Sequence, residues 1–474
     1  MSKLNQLVSS GAAALLINLV SMAIKFATNL ALAWFLLPDM FGVAAIVTSI
    51  VTGMVLLSDV GINDSIIRHE QGDRRLFCGT AWMLQAGRGV LLYLALAAAA
   101  PWIAAFYDLP MLRDYLWAAG LALPIQGLKS VYLVVLQRRM APLPELKVEL
   151  AAQATAAVWM LALATQWPSI WVLVSAHVVV ALVEVIGSHL LTPRSFYAFR
   201  IDRRYLREIL NFGKWIYIGT IATFLLLNVD KLLLGKIESF ANLGVYQVAS
   251  AFSMISYSLA LSLLTRLIYP ALAESARDSR TTLADAIRQL KHIIFPTITA
   301  MQLLVFLVAP WFFTLLYPDA FADATWMAQM MAVLAWITLA SDFQGTVLIA
   351  SNRPRLFALV LLGIAVVRPV LALAGYYALG GPAGFILGMT VGSFAGFLAY
   401  RKLLRREIGP TGNHDILLGG IAGATILLDL MLSRSNPIDL SPALLNALIG
   451  AIICLAFFWS MRRTLLSGNA MTAR

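Results

Sequence analysis

The sequence predicts an all-α polytopic membrane protein with about fourteen transmembrane helices. Three observations support this fold class. First, 60% of the 474 residues are hydrophobic and only 12% are charged, whereas soluble domains are roughly 45–50% apolar and about 25% charged. Second, apolar runs of about 20 residues, the length that a membrane-spanning helix needs, recur along the whole chain. Third, the lysines and arginines are concentrated in alternate connections between these runs.

Fourteen apolar segments are candidate membrane spans. Only residues 166–169 separate the fifth candidate from the sixth, so a count of thirteen stays open. The first apolar run follows Lys3 and lacks the small-residue cleavage pattern of a signal peptide, which predicts that it is retained as the first span. The predicted spans are 9–37, 41–58, 77–105, 114–136, 146–166, 168–191, 211–235, 242–268, 291–316, 324–349, 356–379, 382–401, 414–433 and 442–461.

The distribution of lysine and arginine predicts the orientation, because short cytoplasmic loops retain positive charge. With the N-terminus in the cytoplasm, 27 of the 35 basic residues lie in cytoplasmic connections, tails or the adjoining ends of spans, three lie on the opposite side, and five lie deeper within spans. We therefore expect a multi-pass protein of the bacterial inner membrane with both termini in the cytoplasm. The net charge of +11 is explained by this orientation, so we expect no nucleic-acid partner.

The longest polar connection divides the chain. In residues 194–210, Arg203, Arg204 and Arg207 alternate with apolar side chains, which predicts a short amphipathic helix lying in the inner headgroup layer. The expected organisation is a first lobe of six spans in 1–193, this linker, a second lobe of six spans in 211–406, and two further spans with a cytoplasmic tail in 407–474.

An internal repeat is suggested by position more than by identity. A shift of 202 residues places Gly42 on Gly244, each near the start of a predicted span, although few other residues match. The correspondence of these positions within the predicted topology is therefore the better indication that the two lobes are related.

The sequence carries no signature of an enzyme. It contains no Walker-type loop, no zinc-ligand spacing and no plausible Ser/His/Asp set. Its two cysteines, Cys78 and Cys454, lie in apolar runs, which argues against a disulfide framework or a cysteine metal site. We therefore expect a protein without catalytic residues, metal or cofactor.

Four stretches carry a resemblance to a known family. They are LLPDMFGVAAIVTSIVTGMVLLSDVGINDSIIR (36–68), VVLQRRMAPLPELKVELAAQ (134–153), RIDRRYLREILNFGKWIYIG (200–219) and NVDKLLLGKIESFANLGVYQVASAF (228–252). In this order they resemble the polysaccharide transporter family, the Wzx and WzxC-like flippases of the multidrug/oligosaccharidyl-lipid/polysaccharide exporter superfamily. The likeness covers about residues 5–300 well and the remainder mainly through topology.

The resemblance implies two six-helix lobes around a central cavity that opens alternately to either side of the membrane. It also implies a cargo, an oligosaccharide linked to undecaprenyl diphosphate, and functional partners among the polysaccharide polymerase and chain-length machinery, within the lipids of the membrane. Because no nucleotide site is present, we expect coupling to a gradient of H+ or Na+. The alternatives are a multidrug-type small-molecule exporter of the same fold, a membrane-embedded glycan polymerase or ligase, and a scaffold that transports nothing.

Basic residues within predicted spans are the candidate cargo ligands, because a charge at bilayer depth is costly and usually faces a cavity or a partner. An anionic diphosphate would be stabilised by such cations, with arginine offering paired donors. The alternative is that each cation extends along its own stem to the membrane surface or pairs with a buried acid. The candidates are Lys25, Arg88, which Gly87 and Gly89 flank, Lys129 and Arg368.

Four other polar residues are candidates for ion coupling or gating. His177 and Glu184 are seven residues apart and share a helix face, and Asp342 lies within the tenth span; interhelical hydrogen bonding is the alternative for these three. Asp230 lies near the outer end of the seventh span in a family-like stretch, where a helix cap or an ion pair with a neighbour is the alternative.

Overall fold

The computed structural model describes residues 2–58, 61–193, 196, 201–278 and 280–409. Every regular element within these ranges is helical. The α-helices are α1 (Ser2–Leu32), α2 (Pro38–Leu56), α3 (Ile62–Arg68), α4 (Arg75–Phe106), α5 (Leu112–Gly120), α6 (Ala122–Gly127), α7 (Tyr132–Arg138), α8 (Leu143–Gln166), α9 (Trp171–Leu190), α10 (Arg203–Ile237), α11 (Phe240–Leu263), α12 (Tyr269–Asp278), α13 (Arg280–Leu316), α14 (Ala324–Ala350), α15 (Pro354–Leu379) and α16 (Gly381–Glu407). A π-helical turn, Leu264–Ile268, joins α11 to α12.

The all-helical membrane fold class is confirmed. Among the described residues, eight helices are long and apolar enough to cross a membrane, and a bent pair of helices adds a ninth candidate. Each of the twelve predicted spans up to residue 401 overlaps one or more of the helices. The last two predicted spans, 414–433 and 442–461, lie outside the described residues, so the count of fourteen remains a prediction.

The fourth predicted span differs from the expectation of one continuous helix over 114–136. It consists of α5, α6 and α7, and the axis bends by 59° between Leu112–Gly127 and Tyr132–Arg138. Side chains of neighbouring helices bind the backbone groups that the break releases. This compensation allows a break inside an apolar segment.

The predicted linker is not a separate helix, because α10 runs without interruption from Arg203 to Ile237. Its start is fixed by Asp202, whose side chain accepts hydrogen bonds from the backbone N–H groups of Arg204 and Tyr205. Such an N-cap satisfies donors that the first helical turn leaves free. The location of residues 203–210 in the headgroup layer remains a prediction.

The chain divides into two compact units, Met1–Gln247 and Val248–Arg474. This division lies within α11, whereas the sequence places the boundary at the linker 194–210. Because α10 packs against α2, α3 and α4, it belongs to the first unit; the predicted lobes 1–193 and 211–406 remain a prediction. The second unit has an apolar core contributed by α11 to α16, with Phe295, Phe343 and Tyr400 almost fully buried.

Three connections predicted to be cytoplasmic meet at one end of the first unit. Arg138, which ends α7, donates hydrogen bonds to four backbone carbonyls between residues 66 and 70. From α10, the Glu208 carboxylate lies 3.0 Å from His69 Nε2, and the Tyr205 hydroxyl contacts Gln71. Residues from two of the family-like stretches, 134–153 and 200–219, thus contact the end of the stretch 36–68 or the residues directly after it.

The ends of α4 and α10 meet through polar contacts. The Tyr107 hydroxyl donates to the carbonyl of Leu232 at 3.0 Å, and Lys236 forms an ion pair with Asp108 at 2.8 Å. Burial raises the pKa of Tyr107 to about 12, so this hydroxyl keeps its proton, and its role as a donor, across the neutral range. These contacts hold the C-terminal end of α10 within the first unit.

The two glycines related by the 202-residue shift contact each other's helices. The helices α2 and α11 begin at Pro38 and Phe240, which are also 202 residues apart. A Cβ atom on Gly42 would overlap the carbonyl oxygen of Phe240, and a Cβ atom on Gly244 would overlap that of Pro38. The contact is therefore reciprocal, and only glycine at both positions permits this helix crossing.

We predict that Gly244→Ala lowers the stability of the protein, because the added methyl group forces the two backbones apart. The expected loss is roughly 1–3 kcal/mol, the usual cost of overpacking a tight interior contact. Thermal unfolding of the purified protein in detergent measures it. Gly363→Ala is the matched control, since a Cβ atom there meets nothing within 4 Å; an equal loss in both variants would contradict the reciprocal contact.

Candidate functional site

The break in the fourth span is bound on two sides by side chains of the first unit. From α4, the Gln85 amide donates to the carbonyls of Gly127 and Lys129 at 3.2 and 3.0 Å. Trp82 on α4 and His189 on α9 contact the carbonyl of Leu128 at 3.2 and 2.9 Å. Since a carbonyl can only accept, the His189 Nε2 atom carries the proton in this contact.

Broken helices at membrane depth are frequent at the binding sites of transporters, because they expose backbone groups and helix ends within the protein. The sequence analysis missed this feature. The signal that indicates it is the run Pro124–Gly127, LPIQG with its preceding leucine, since proline and glycine both weaken a helix interior. We therefore place the candidate site of the first unit around this break.

Lys129 lies in the break and is bound by two carboxylates. Its Nζ atom is 3.7 Å from Glu145 on α8 and 3.5 Å from Glu184 on α9, and all three side chains are about one-fifth exposed. Glu149, one turn beyond Glu145, interacts electrostatically with this group and with Lys25 on α1. The three glutamates and two lysines form what we call the acid–lysine cluster.

This cluster revises the prediction for Lys129. Pairing with a buried acid, the alternative left open for each intramembrane cation, is the arrangement that Lys129 adopts. Lys25, by contrast, has an exposed side chain at the edge of the cluster. Glu145 and Glu149 were not among the predicted site residues, although two acids four apart at the start of an apolar helix would have identified them.

Arg88 lies one turn from Gln85 on α4, close to the break. Its guanidinium donates to the carbonyl of Val55 at 3.1 Å, in the last turn of α2. Carbonyls in a last turn lack helical partners and carry the negative end of the helix dipole, so this contact stabilises the end of α2. Gly89 allows α6 to approach, since its Cβ would lie 2.6 Å from the Leu123 carbonyl oxygen, whereas Gly87 faces open space.

The two remaining candidates of the first unit form hydrogen bonds between helices. His177 on α9 contacts the Thr48 hydroxyl on α2 at 3.2 Å, which is the interhelical hydrogen bonding left open for it as the alternative. Asp230 on α10 accepts from the Tyr246 hydroxyl on α11 at 2.6 Å, while its other oxygen is buried without a partner among the described residues. Both hydrogen bonds connect neighbouring helices and need no transport role to explain them. A coupling role for either residue remains a prediction.

The second unit brings Asp342 and Arg368 together. Asp342 on α14 accepts from the Tyr257 hydroxyl on α11 at 2.9 Å and interacts electrostatically with Arg368 on α15. Among the described residues, no carboxylate lies within ion-pairing distance of the Arg368 guanidinium. This cation is therefore influenced by one acid but is not neutralised by direct contact.

A ladder of glycines fixes the backbone of Arg368. Gly384, Gly388, Gly392 and Gly396 recur every four residues on α16, and all face α15. A Cβ atom on Gly392 would lie 2.7 Å from the Cα atom of Arg368, so the two helices touch at this point. Small residues at four-residue spacing are the usual means of close helix packing in membranes, and this spacing was readable in the sequence.

The described part of the chain holds no group of three or more histidine, cysteine or acidic side chains arranged to bind a metal ion. The candidate site is therefore built from cations, carboxylates and backbone groups. Its parts suit the binding of an anionic group or the uptake and release of an ion.

We predict that Lys129→Met destabilises the first unit, because it leaves three glutamates close together without their central cation. The expected loss is roughly 1–3 kcal/mol, the usual cost of removing a partner from a partly buried charged contact. A double-mutant cycle with Glu184→Gln, followed by thermal unfolding, measures the coupling. Strictly additive effects of the two substitutions would show that the cluster is not an interacting group.

Comparison with known sequences identifies a family. The model of a family described as "Polysaccharide biosynthesis protein" matches residues 31–325. A curated relative, the teichuronic acid biosynthesis protein TuaB of Bacillus subtilis (strain 168), is 20% identical over 388 residues, which is 78% of this chain and 79% of TuaB.

Comparison with solved structures identifies the fold. The lipid II flippase MurJ in an inward closed conformation is similar with a TM-score of 0.72 over 96% of this chain and all of MurJ, at 12% identity. An inward-facing multidrug resistance MATE family transporter of the MOP superfamily is similar with a TM-score of 0.61 over 82% of this chain and 95% of its own, also at 12% identity. The predicted resemblance and the prediction of a protein that is not an enzyme are confirmed.

Proposed function

The chain belongs to the polysaccharide biosynthesis protein family, and on that premise we propose that it is a flippase for a lipid-linked oligosaccharide. The proposed cargo is a glycan repeat unit on undecaprenyl diphosphate, moved from the cytoplasmic to the outer leaflet of the inner membrane. Such a unit would then be available to a polysaccharide polymerase and its chain-length machinery for capsule, exopolysaccharide or O-antigen assembly.

The observation that carries the proposal is the broken fourth span beside Arg88. A lipid diphosphate has to bring its negative charge through a medium in which charge is poorly solvated, so it needs fixed cations and polar backbone groups along its way. The break supplies backbone groups, and Arg88 supplies a planar set of donors suited to phosphate oxygens. The fold shared with MurJ, whose name describes it as a lipid II flippase, supports the same class of cargo.

The cargo contacts that we propose are Arg88, Lys25 and Arg368. Lys25 is exposed, and Arg368 has no carboxylate in direct contact among the described residues, so both retain charge for a ligand. Lys129 is not included among the cargo contacts, because its ammonium group is already paired with the carboxylates of Glu145 and Glu184. Alternating access of the two halves is the mechanism that we propose for translocation.

For energy coupling we propose the acid–lysine cluster. The three carboxylates carry two more negative charges than Lys129 alone neutralises, so, with Lys25 left for the cargo, the cluster can take up one cation without accumulating positive charge. That cation is H+ or Na+, and its arrival would free Lys129 from one of its partners. A change of partners of this kind is a means by which ion binding alters the packing of α6, α8 and α9.

We predict that Arg88→Ala and Lys25→Ala each reduce flipping, with a loss of roughly tenfold or more per charged contact. Arg88→Lys should recover only part of the activity, because lysine keeps the charge and loses the paired donors. The assay is translocation of a defined lipid-linked glycan in proteoliposomes. Thermal unfolding of each variant separates lost transport from lost folding, and wild-type rates in the double variant would refute the cation argument.

We predict that Glu149→Gln uncouples transport from the ion gradient while it leaves binding of the cargo intact. The reason is that the glutamine cannot change its charge when an ion arrives. Initial rates with an imposed H+ or Na+ gradient, compared with no gradient, measure this effect. If the initial rate of the wild-type protein is the same with and without either gradient, the proposed coupling role of the cluster is wrong. The assignment of the cargo is unaffected by that result.

The carboxylates of the acid–lysine cluster favour a second function, the export of a cationic small molecule, because they could bind its positive charge. The fold shared with a MATE family transporter is compatible with this function. The two functions are distinguished by their cargo. Efflux of a cationic dye from cells that carry the protein, abolished by Glu149→Gln and indifferent to Arg88→Ala, would favour the exporter. The opposite pattern in the flipping assay favours the flippase.

A further inference from the structure

A polar cavity opens at one end of the second unit, away from Arg368 and Asp342. Its volume is about 440 Å³, which lies within the usual range of small-ligand sites, roughly 300–1,000 Å³. Three parts of the chain form it: α12 with the first turn of α13, the turn between α14 and α15, and the end of α16. All three were predicted to lie on the cytoplasmic side, and the structure brings them together at one end.

The charges that line this cavity are unequal. Arg277, from the last turn of α12, and Arg353, from the start of α15, both face it, and Glu407 from the last turn of α16 is the one acid among the described lining residues. Glu407 pairs with Arg353 at 3.0 Å. Among the described residues, no carboxylate lies within ion-pairing distance of Arg277. The described lining residues therefore carry a net positive charge, with Arg353 held by Glu407 and Arg277 without an acidic partner among them.

The uncharged lining residues suit a ligand that is partly polar. Tyr269 and Asn352 provide polar groups near the arginines, and Leu283 forms part of an apolar wall. Asn352 adopts a left-handed conformation with φ of 60°, which ends α14 and turns the chain so that Arg353 reaches Glu407. The backbone thus presents Arg353 at the rim, where the pair with Glu407 orients its guanidinium.

We propose that this cavity binds a phosphate-bearing anion. An arginine binds phosphate through two parallel hydrogen bonds, and basic pockets between membrane helices on the cytoplasmic side bind lipid headgroups. The phosphate comes either from the headgroup of an anionic phospholipid or from a soluble phosphate compound. Glu407 acts as a competitor, because an arriving phosphate would take its place beside Arg353. The proposal does not depend on the cargo of the transporter.

The test uses the full-length protein in nanodiscs and reads the midpoint of thermal unfolding. One arm compares phosphatidylglycerol nanodiscs with phosphatidylcholine nanodiscs. A second arm adds inorganic pyrophosphate to the phosphatidylcholine sample. A ligand that binds only the folded state raises the midpoint in proportion to its occupancy, so a rise in the first arm identifies a headgroup and a rise in the second identifies a soluble phosphate.

Three variants make the test specific. Arg277→Ala should lower the affinity for whichever ligand shifts the midpoint by roughly tenfold, the usual result of losing one charged hydrogen bond. Glu407→Gln should strengthen it, because the competing carboxylate is gone; a gain of affinity cannot result from misfolding. Arg355→Ala is the matched control, since Arg355 is exposed in the same connection and does not line the cavity.

The expected result is a shift of the midpoint in one arm that is lost in Arg277→Ala, enlarged in Glu407→Gln and kept in Arg355→Ala. No shift in either arm with the wild-type protein overturns the proposal. An equal loss in Arg277→Ala and Arg355→Ala also overturns it, because general attraction between a basic surface and anions would then explain the shift.

Discussion

The structure of the first unit depends on one constraint: within lipid, every backbone polar group needs a partner inside the protein. Continuous helices meet it automatically, and the fourth span meets it by another route. There the side chains of Gln85, Trp82 and His189 take over carbonyls that a broken helix leaves free. These hydrogen bonds connect α4 and α9 to the break. They therefore also fix the positions of Arg88 and Lys129, which lie beside it or in it.

Charge within the membrane is organised differently in the two units. In the first unit, Lys129 is paired with acids in a cluster that carries excess negative charge, whereas Arg88 is bound to the end of a helix. In the second unit, Arg368 feels Asp342 without direct pairing, and a glycine ladder fixes its backbone. A cation that is locally balanced suits switching, and one that is held but not neutralised suits an anionic ligand. This distinction underlies the separate roles that we propose.

The sequence predicted the fold class and the position of the spans because hydrophobic length and loop charge report directly on a bilayer. It did not predict the break at residues 128–131. Helix propensity identifies Pro124 and Gly127 only as unfavourable residues in a helix, and tertiary contacts decide whether the helix breaks there. The pairing of Lys129 with Glu145 and Glu184 joins the break to two separate helices, and no spacing along the chain encodes it. The glycine ladder on α16 was readable, but its partner helix was not.

The reciprocal contact of Gly42 and Gly244 limits how the two segments of the proposed internal repeat can diverge. Each glycine faces the backbone carbonyl of the helix that corresponds to its own, so a side chain gained by one copy collides with the main chain of the other. No compensating substitution on the opposite side can create room, because a carbonyl group is common to every residue. After a duplication, glycine would therefore be retained at these two positions while neighbouring residues are substituted.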